Sequence, residues 1–364
     1  MKAYIAETIF TGEEWLIGYG VITKDGKITD VVPASEIASS IPVEQFEDGI
    51  LVPAFIDLQI YGAHGKLLSV FPEPESLNKL NDYCRSGGAA WCMPTVATNT
   101  YEVFRQCIDA VREYWKTGGR GVLGLHLEGP WINPVRRGAH IESLIHTPSA
   151  DEVKELLDYG KGVVKIITLA PEICGPALMS YIAGQGIVIS AGHSNATYTE
   201  AKQGFANGAT TVTHLYNAMS PLQHRAPGLV GATLDDDRVM ASIIPDGHHV
   251  DYAAIRIAKQ VMKERLFVIT DAVTETTTGP YPHVFAGDKY EAGGILSGSA
   301  LTMNRAVQRL TAFADIELEE ALRMCSLYPA KVMGLQDRLG KIEKGYDATM
   351  TVLNKDLEVL AVLD

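Results

Sequence analysis

The sequence predicts an α/β chain built as a (β/α)8, TIM-like barrel, with a small β-sandwich domain formed by the N- and C-terminal segments. Three observations carry this. The 364-residue length suits one barrel of roughly 250 residues plus an appendage. Through the middle of the chain, short apolar runs alternate with amphipathic stretches, and a repeated strand-then-helix pattern asks for parallel strands joined by helical crossovers. Both ends instead carry short alternating runs broken by Gly, Asp-Gly and Pro. The expected division is 1–50 with 335–364 for the small domain and 51–334 for the barrel.

At the N-terminus, Ala3–Ala6 and Trp15–Ile17, punctuated by Gly12, Gly18, Gly20, Asp25-Gly26 and Pro33, read as a small antiparallel region with tight turns. Ala348–Leu353 and Val359–Leu363 repeat that signature, so the two ends are expected to pair in one sheet. Barrel strands are predicted near 50–57, 89–95, 120–128, 163–170, 186–192, 209–214, 238–245 and 265–271. Helices follow near 74–86, 100–117, 149–159, 175–184, 197–207, 251–263 and 302–334. Asn99, Ser149, Thr197 and Asp251 are the expected N-caps, because a short polar side chain accepts from the unpaired N–H groups of the first turn. The stretch from Thr274 to Gly294 is long for a strand-to-helix connection and reads as a candidate lid.

Composition narrows the function classes. A net charge of −13 disfavours a nucleic-acid partner, whose phosphates would be repelled. No apolar run approaches about 18 residues and no basic-then-apolar leader is present, so neither a membrane span nor a signal peptide is expected, and the cytoplasm is the default location. The five cysteines, Cys84, Cys92, Cys107, Cys174 and Cys325, are odd in number and irregularly spaced, which points to packed thiols rather than disulfides.

In this fold class the C-terminal strand ends line the active site. In order, those ends read Asp57-Leu-Gln59, Pro94-Thr95, Glu128, Ala170-Pro-Glu172, His193, His214, Pro245-Asp246 and Thr270-Asp271. Glu128, His193 and His214 match the carboxylate-plus-two-imidazole set of an open catalytic metal site. One such residue alone reads better as a helix cap or a histidine satisfied by backbone. Three around one mouth favour a metal. The expected cofactor is one divalent ion per chain, Zn2+ first, with Fe2+, Mn2+ and Co2+ compatible with the same ligands.

The local sequences around these ends are Val52–Asp57, His126-Leu-Glu-Gly-Pro-Trp131, Gly138-Ala-His140, Ala191-Gly-His-Ser-Asn-Ala-Thr197, Thr213-His-Leu-Tyr-Asn-Ala-Met219, Arg225–Leu229, Asp246-Gly-His-His-Val250, Thr270-Asp-Ala272 and Leu296–Met303. In them the chain resembles the amidohydrolase superfamily, and within it the deacetylases of phosphorylated N-acetyl amino sugars. The resemblance implies Glu128, His193 and His214 as metal ligands and Asp271 as the catalytic acid/base. It implies Ala139, His140, Asn217, Ala218, Arg225, His249 and Leu301 as substrate-binding residues. Arg225 would hold the phosphate, a role that a neighbouring subunit's arginine can fill in this family, so a homodimer is expected. His248, next to His249, reads as structural, and Arg136 and Arg137 read as solvated loop residues.

The implied reaction is removal of the acetyl group by a metal-activated water, with Asp271 moving the protons. The glucosamine sugar phosphate is the first choice of substrate. The galactosamine epimer, another metal-dependent amidohydrolase, and a non-catalytic sugar-phosphate-binding barrel are the alternatives. One departure stands out: many superfamily members end the first strand in His-x-His and hold a second ion there, whereas this chain has Gln59-Ile-Tyr61. An amide and a phenol replace imidazole poorly, which is why one ion is expected. Nearby His64 reads as a loop residue.

Overall fold

A computed structural model describes residues 1–364. The chain divides into two compact units, one of residues 58–82 and 92–301, the other of residues 1–57, 83–91 and 302–364.

Eight strands make the barrel sheet in sequence order: Phe55–Ile60, Ala89–Ala97, Leu125–Glu128, Val164–Leu169, Val188–Ala191, Ala209–Val212, Met240–Ile243 and Leu266–Val268. From the second to the eighth strand every neighbouring pair is parallel. The last strand returns to the first just beyond its end, where the Asp271 amide donates to the Gln59 carbonyl at 2.9 Å and Ile60 bridges Ala272 in parallel. The strand period of two sorts the side chains. Val96, Leu127, Ile167, Ile189, Val212 and Ile243 share one buried apolar face, while Thr95, His126, Thr168, Ser190 and Ser242 share the other. The polar set bonds to itself across strands. His126 Nε2 meets Thr168 Oγ1 at 2.8 Å, and Thr213 Oγ1 lies 2.7 Å from Thr168 Oγ1 and 2.5 Å from Ser190 Oγ. Such mutual satisfaction is what allows polar groups to stay buried.

The crossover helices are Pro74–Ser86, Tyr101–Lys116, Ala150–Tyr159, Pro171–Gly184, Tyr198–Ala206, Gly228–Asp235 and Tyr252–Met262. Ser149 and Thr197 form capping boxes with Glu152 and Glu200, and Asp251 accepts from the Ala253 amide. Asn99 is not the cap of its helix. Thr100 is, accepting from Val103 N, while the Asn99 side chain accepts from Thr100 N. Helix Gly228–Asp235 was not expected: six of its eight residues are buried, and a helix apolar on every side has no 3.6-residue stripe to read. Helix Pro171–Gly184 starts earlier than predicted and is interrupted at Gly175, with φ 70°, before Pro176.

The 274–294 stretch is not a plain loop. Val284–Phe285, Lys289–Ala292 and Ile295–Ser299 form a three-stranded antiparallel flap. Leu296–Ser299 thus lies in the last of these strands, and the Ser299 hydroxyl donates to the Thr270 carbonyl.

In the other unit, the two chain ends share a seven-stranded sheet. Its order is Val359–Leu363, Met350–Leu353, Val43–Pro53, Lys2–Phe10, Tyr19–Lys24 and Lys27–Pro33, with Trp15–Ile17 on Lys2–Phe10. Lys2–Phe10 and Val43–Pro53 are parallel, so the region is mixed rather than antiparallel; residues 34–42 carry the crossover that a parallel pair requires. Tyr4, Ile9, Val21, Ile28, Leu51, Met350 and Val352 form its core. The predicted 302–334 helix is three, Met303–Phe313, Leu318–Cys325 and Leu327–Val332, with Asp315 at φ 49° breaking the first from the second. All five cysteines are buried, and none forms a disulfide. No helix is long and apolar enough to cross a membrane.

Candidate metal centre and active site

Glu128 ends the third barrel strand, and His193, His214 and Asp271 follow within three residues of the ends of the fifth, sixth and eighth. His193, His214 and Asp271 all have left-handed backbone, with φ of 49°, 34° and 54°. Non-glycine residues held there carry strain that folded proteins concentrate at working sites.

Three atoms meet in a nearly equilateral triangle. Glu128 Oε1 is 3.4 Å from His193 Nε2 and 3.3 Å from His214 Nε2, and the two nitrogens are 3.2 Å apart. Ligand atoms each about 2.0–2.1 Å from one tetrahedral ion stand about 3.3 Å from one another, so the spacing fits a single cation. Hydrogen bonding sets the tautomer as well. His193 Nδ1 lies 2.9 Å from the Arg136 carbonyl and must donate to it, leaving the Nε2 lone pair for a ligand. His214 Nδ1 is buried without a partner.

A second compact trio, Glu128, His140 and His193, also has metal-ligating atoms close together. Its His140 is poorly suited to an ion. His140 Nδ1 accepts from the Thr98 amide at 3.3 Å and lies 2.7 Å from Thr98 Oγ1. Its Nε2 therefore carries the hydrogen and donates to Glu128 Oε2 at 3.2 Å.

Gln59 and Tyr61 fill the position where His-x-His would stand. The Tyr61 hydroxyl donates to Glu128 Oε2 at 2.5 Å and lies 3.3 Å from Asp271 Oδ1; the Gln59 amide donates to Asp271 Oδ1 at 2.8 Å and to Glu128 Oε1 at 3.1 Å. On the far side of Asp271, His249 Nε2 is 3.9 Å from Oδ2, and His249 Nδ1 is held by Asp246 Oδ2 at 2.6 Å. Asp246 also accepts from the backbone amides of His248 and His249.

Burial sets the electrostatics. Burial opposes ionisation of Glu128, yet the neighbouring imidazoles of His140, His193 and His214 hold its carboxyl well below the usual range. Burial pushes Asp271 up, against the pull of His214 and His249. Burial, with His140 nearby, lowers His193 to about 4, so its imidazole is neutral, as a ligand requires. Burial would lower His214 too, but the Glu128 and Asp271 carboxylates raise it. Burial beside Asp271 and Glu128 pushes the Tyr61 phenol well above its ordinary value, so it stays a donor.

A cavity of about 220 Å3 opens over these groups, lined by Glu128, His140, His193, His214, His249 and Asp271, with Ala139, Asn217 and Ala218 on its wall. Leu301 is buried, its amide bonded to Ser299 Oγ, and the wall on that side is Leu296 and Ser297. Arg225 is exposed and lines a separate cleft of about 670 Å3 with Arg136, Asn195 and Pro227. His64 is exposed at a turn, and His248 pairs with Asp288 of the flap at 2.7 Å. Volume alone does not mark the site. A cleft of about 490 Å3 in the terminal sheet is lined by paired charges such as Lys341–Glu13 and Lys344–Asp30.

Four participants were not assigned from the sequence: Tyr61 and Gln59 as donors, Thr98 behind His140, and Asp246 behind His249. Only Asp246 offered a signal, as a carboxylate at a strand end three residues before a histidine.

Comparison with known proteins agrees with this geometry. The Amidohydrolase family model matches residues 50–363, and the NagA composite domain matches residues 1–47. N-acetylglucosamine-6-phosphate deacetylase of Haemophilus influenzae is 33% identical over 99% of this chain and 97% of its own length. N-acetylgalactosamine-6-phosphate deacetylase of Escherichia coli O157:H7 is 31% identical over 97% of this chain and 95% of its own. The crystal structure of N-acetylglucosamine-6-phosphate deacetylase from Pasteurella multocida superposes with a TM-score of 0.95 at 33% identity, covering 100% of this chain and 97% of that one. With eight barrel strands, a carboxylate-and-imidazole cluster at their ends and matches running the length of the sequence, the chain belongs to the amidohydrolase family.

Proposed function

We propose that the chain is a metal-dependent deacetylase that hydrolyses N-acetylglucosamine 6-phosphate to glucosamine 6-phosphate and acetate. The observation that carries this is the Glu128–His193–His214 triangle with Asp271 beside it. These three residues would hold one divalent ion, Zn2+ as first choice. When bound, such an ion supplies Lewis acidity, polarising the amide carbonyl and lowering the pKa of water toward about 7.

The chain's own groups do the rest. Asp271, raised by burial, takes a proton from the attacking water and returns it to the sugar nitrogen, because an amide anion is a very poor leaving group. His249, oriented by Asp246, and the His140 Nε2–H are donors for the carbonyl and sugar oxygens. Ala139, Asn217 and Ala218 complete the sugar site, with Leu301 behind the wall that Leu296 and Ser297 form. Arg225, turned into a different cleft of its own chain, would serve the phosphate of a neighbouring subunit, making the working form a homodimer. We assign the small domain to residues 1–50 and 335–364, the hydrolase domain to 51–334, and the cytoplasm as the place of action.

The galactosamine epimer is the second reading, supported by the Escherichia coli relative. Acetate release by zinc-loaded protein, measured on N-acetylglucosamine and N-acetylgalactosamine with and without the 6-phosphate, tests both. Preference for the phosphorylated glucosamine sugar is expected. Preference for the galactosamine phosphate would move the assignment to the epimer, and no acetate from any of the four would refute it.

A further inference from the structure

Beside the main cavity lies a smaller one of about 50 Å3, whose wall includes Leu67, Ala97, Val273 and Tyr281. The two share Tyr61, Glu128, Ala139, His140 and Ser297, so the recess opens next to the groups that would act on an amide carbonyl. Its floor and roof are firmly set. Leu67 is 3% exposed and Val273 6%. Val273 stands against Gly298, where a Cβ would fall 2.6 Å from Val273 Cγ1. The Tyr281 ring is pinned through its hydroxyl, which donates to the Thr98 carbonyl at 2.6 Å and accepts from the Ile141 amide at 3.4 Å.

An amide carbonyl carbon has two other substituents. If it lies between Asp271 and the Glu128–His193–His214 triangle, the nitrogen and its sugar need the open cavity, where Asn217 and Ala218 supply polar groups. The acyl chain must then leave on the other side, past Ala139 and His140, into the recess, whose far wall is apolar at Leu67, Ala97 and Val273 and polar at Ser69 and His283. A water needs about 10–15 Å3 in the same measure of space, and a methyl is of similar size. By volume the recess could hold about three or four such groups, so what limits the chain length is its shape, fixed by Leu67, Val273 and Tyr281.

We propose that this recess is the acyl pocket. It takes the acetyl methyl, admits one further methylene, and is closed to longer chains by Leu67, Val273 and Tyr281. The proposal rests on the deacetylase reading above and adds to it a range of substrates: N-propionyl as well as N-acetyl amino sugar phosphates are hydrolysed, by the same water attack and the same proton return to nitrogen.

The test is kcat/KM for the N-acetyl, N-propionyl and N-butyryl forms of glucosamine 6-phosphate, read as carboxylic acid released by zinc-loaded protein. In the wild type, propionyl is expected within about tenfold of acetyl and butyryl at least about 100-fold below it, since one methylene in a fitted apolar pocket is worth about 10- to 200-fold. Val273→Ala and Leu67→Ala, two independent ways to widen the recess, should each raise the butyryl-to-acetyl ratio about tenfold or more while acetate is still released. Butyryl cleaved as fast as acetyl by the wild type, or an unchanged ratio in both variants, would overturn the pocket assignment and leave the deacetylase intact. Release of no acid from any of the three would instead sink the deacetylase reading itself.

Discussion

The two oxygens of Glu128 meet contrasting neighbours. Oε1 faces the Nε2 atoms of His193 and His214 at 3.4 and 3.3 Å, whereas Oε2 faces the Tyr61 hydroxyl at 2.5 Å and His140 Nε2 at 3.2 Å. On the first side His193 presents a lone pair, and one hydrogen arrives there as well, from the Gln59 amide at 3.1 Å; on the second, both neighbours present hydrogens and no lone pair. A cation is drawn to lone pairs and repelled by O–H and N–H dipoles, so a single carboxylate separates a place for an ion from a place without one. The donors also do what a second ion would otherwise do. Gln59 and Tyr61 both reach from Glu128 to Asp271, putting neutral hydrogen-bond donors between two carboxylates that would otherwise repel.

Breaking the first side should have the largest effect. Glu128→Ala or His193→Ala is expected to abolish stoichiometric zinc binding, measured by elemental analysis after dialysis, and to lower kcat/KM by more than about 10³. Asp271→Asn comes next. It leaves the triangle intact, so zinc content should stay near one per chain while kcat falls by about 10²–10⁴, the usual worth of a positioned general acid/base; near-wild-type turnover would refute the proton role. On the second side, Tyr61→Phe keeps the ring and removes the hydroxyl. Zinc affinity, read by competition with a chelating dye, should weaken by about 10–100-fold, typical for losing a partner that orients a ligand, with the stoichiometry unchanged.

The smallest effect concerns His283, under the flap, whose Nδ1 meets Ser297 Oγ at 2.9 Å. Burial lowers its pKa to about 4, against about 6.5 in an unfolded chain. The unfolded chain therefore binds the proton more readily. The stability tied to a neutral His283 is complete above pH about 6.5 and is lost progressively as pH falls toward 4. The urea midpoint should drop between pH 7.5 and pH 4.5, and His283→Gln should reduce that drop.

What the sequence revealed followed from position. Glu128, His193, His214 and Asp271 stand at strand ends after apolar runs, and strand ends of such a barrel converge whatever the details of packing. Gln59 and Tyr61 were visible only as missing imidazoles, because their donor roles depend on Glu128 and Asp271, 69 and 210 residues away along the chain. The His140 tautomer is set by the Thr98 amide, a backbone group that no side-chain pattern encodes. The same limit applies to the fold. Amphipathic crossovers such as Tyr101–Lys116 announce themselves by period, whereas Gly228–Asp235 is buried all round, and the flap strands Val284–Phe285 and Lys289–Ala292 are too short to alternate.

Left-handed backbone at His193, His214 and Asp271 ties ion uptake to the mechanics of the barrel rim. Each such residue holds roughly 1–3 kcal/mol that a relaxed loop would release, and hydrogen bonds such as Asp271 N–H to the Gln59 carbonyl and His214 N–H to Ser242 Oγ resist that release. An ion gripping both imidazoles would act as a clasp on two of the three tensioned turns. The rim should then exchange its amide hydrogens more slowly with the clasp closed, and the stiffening should be concentrated at these turns rather than spread through the barrel.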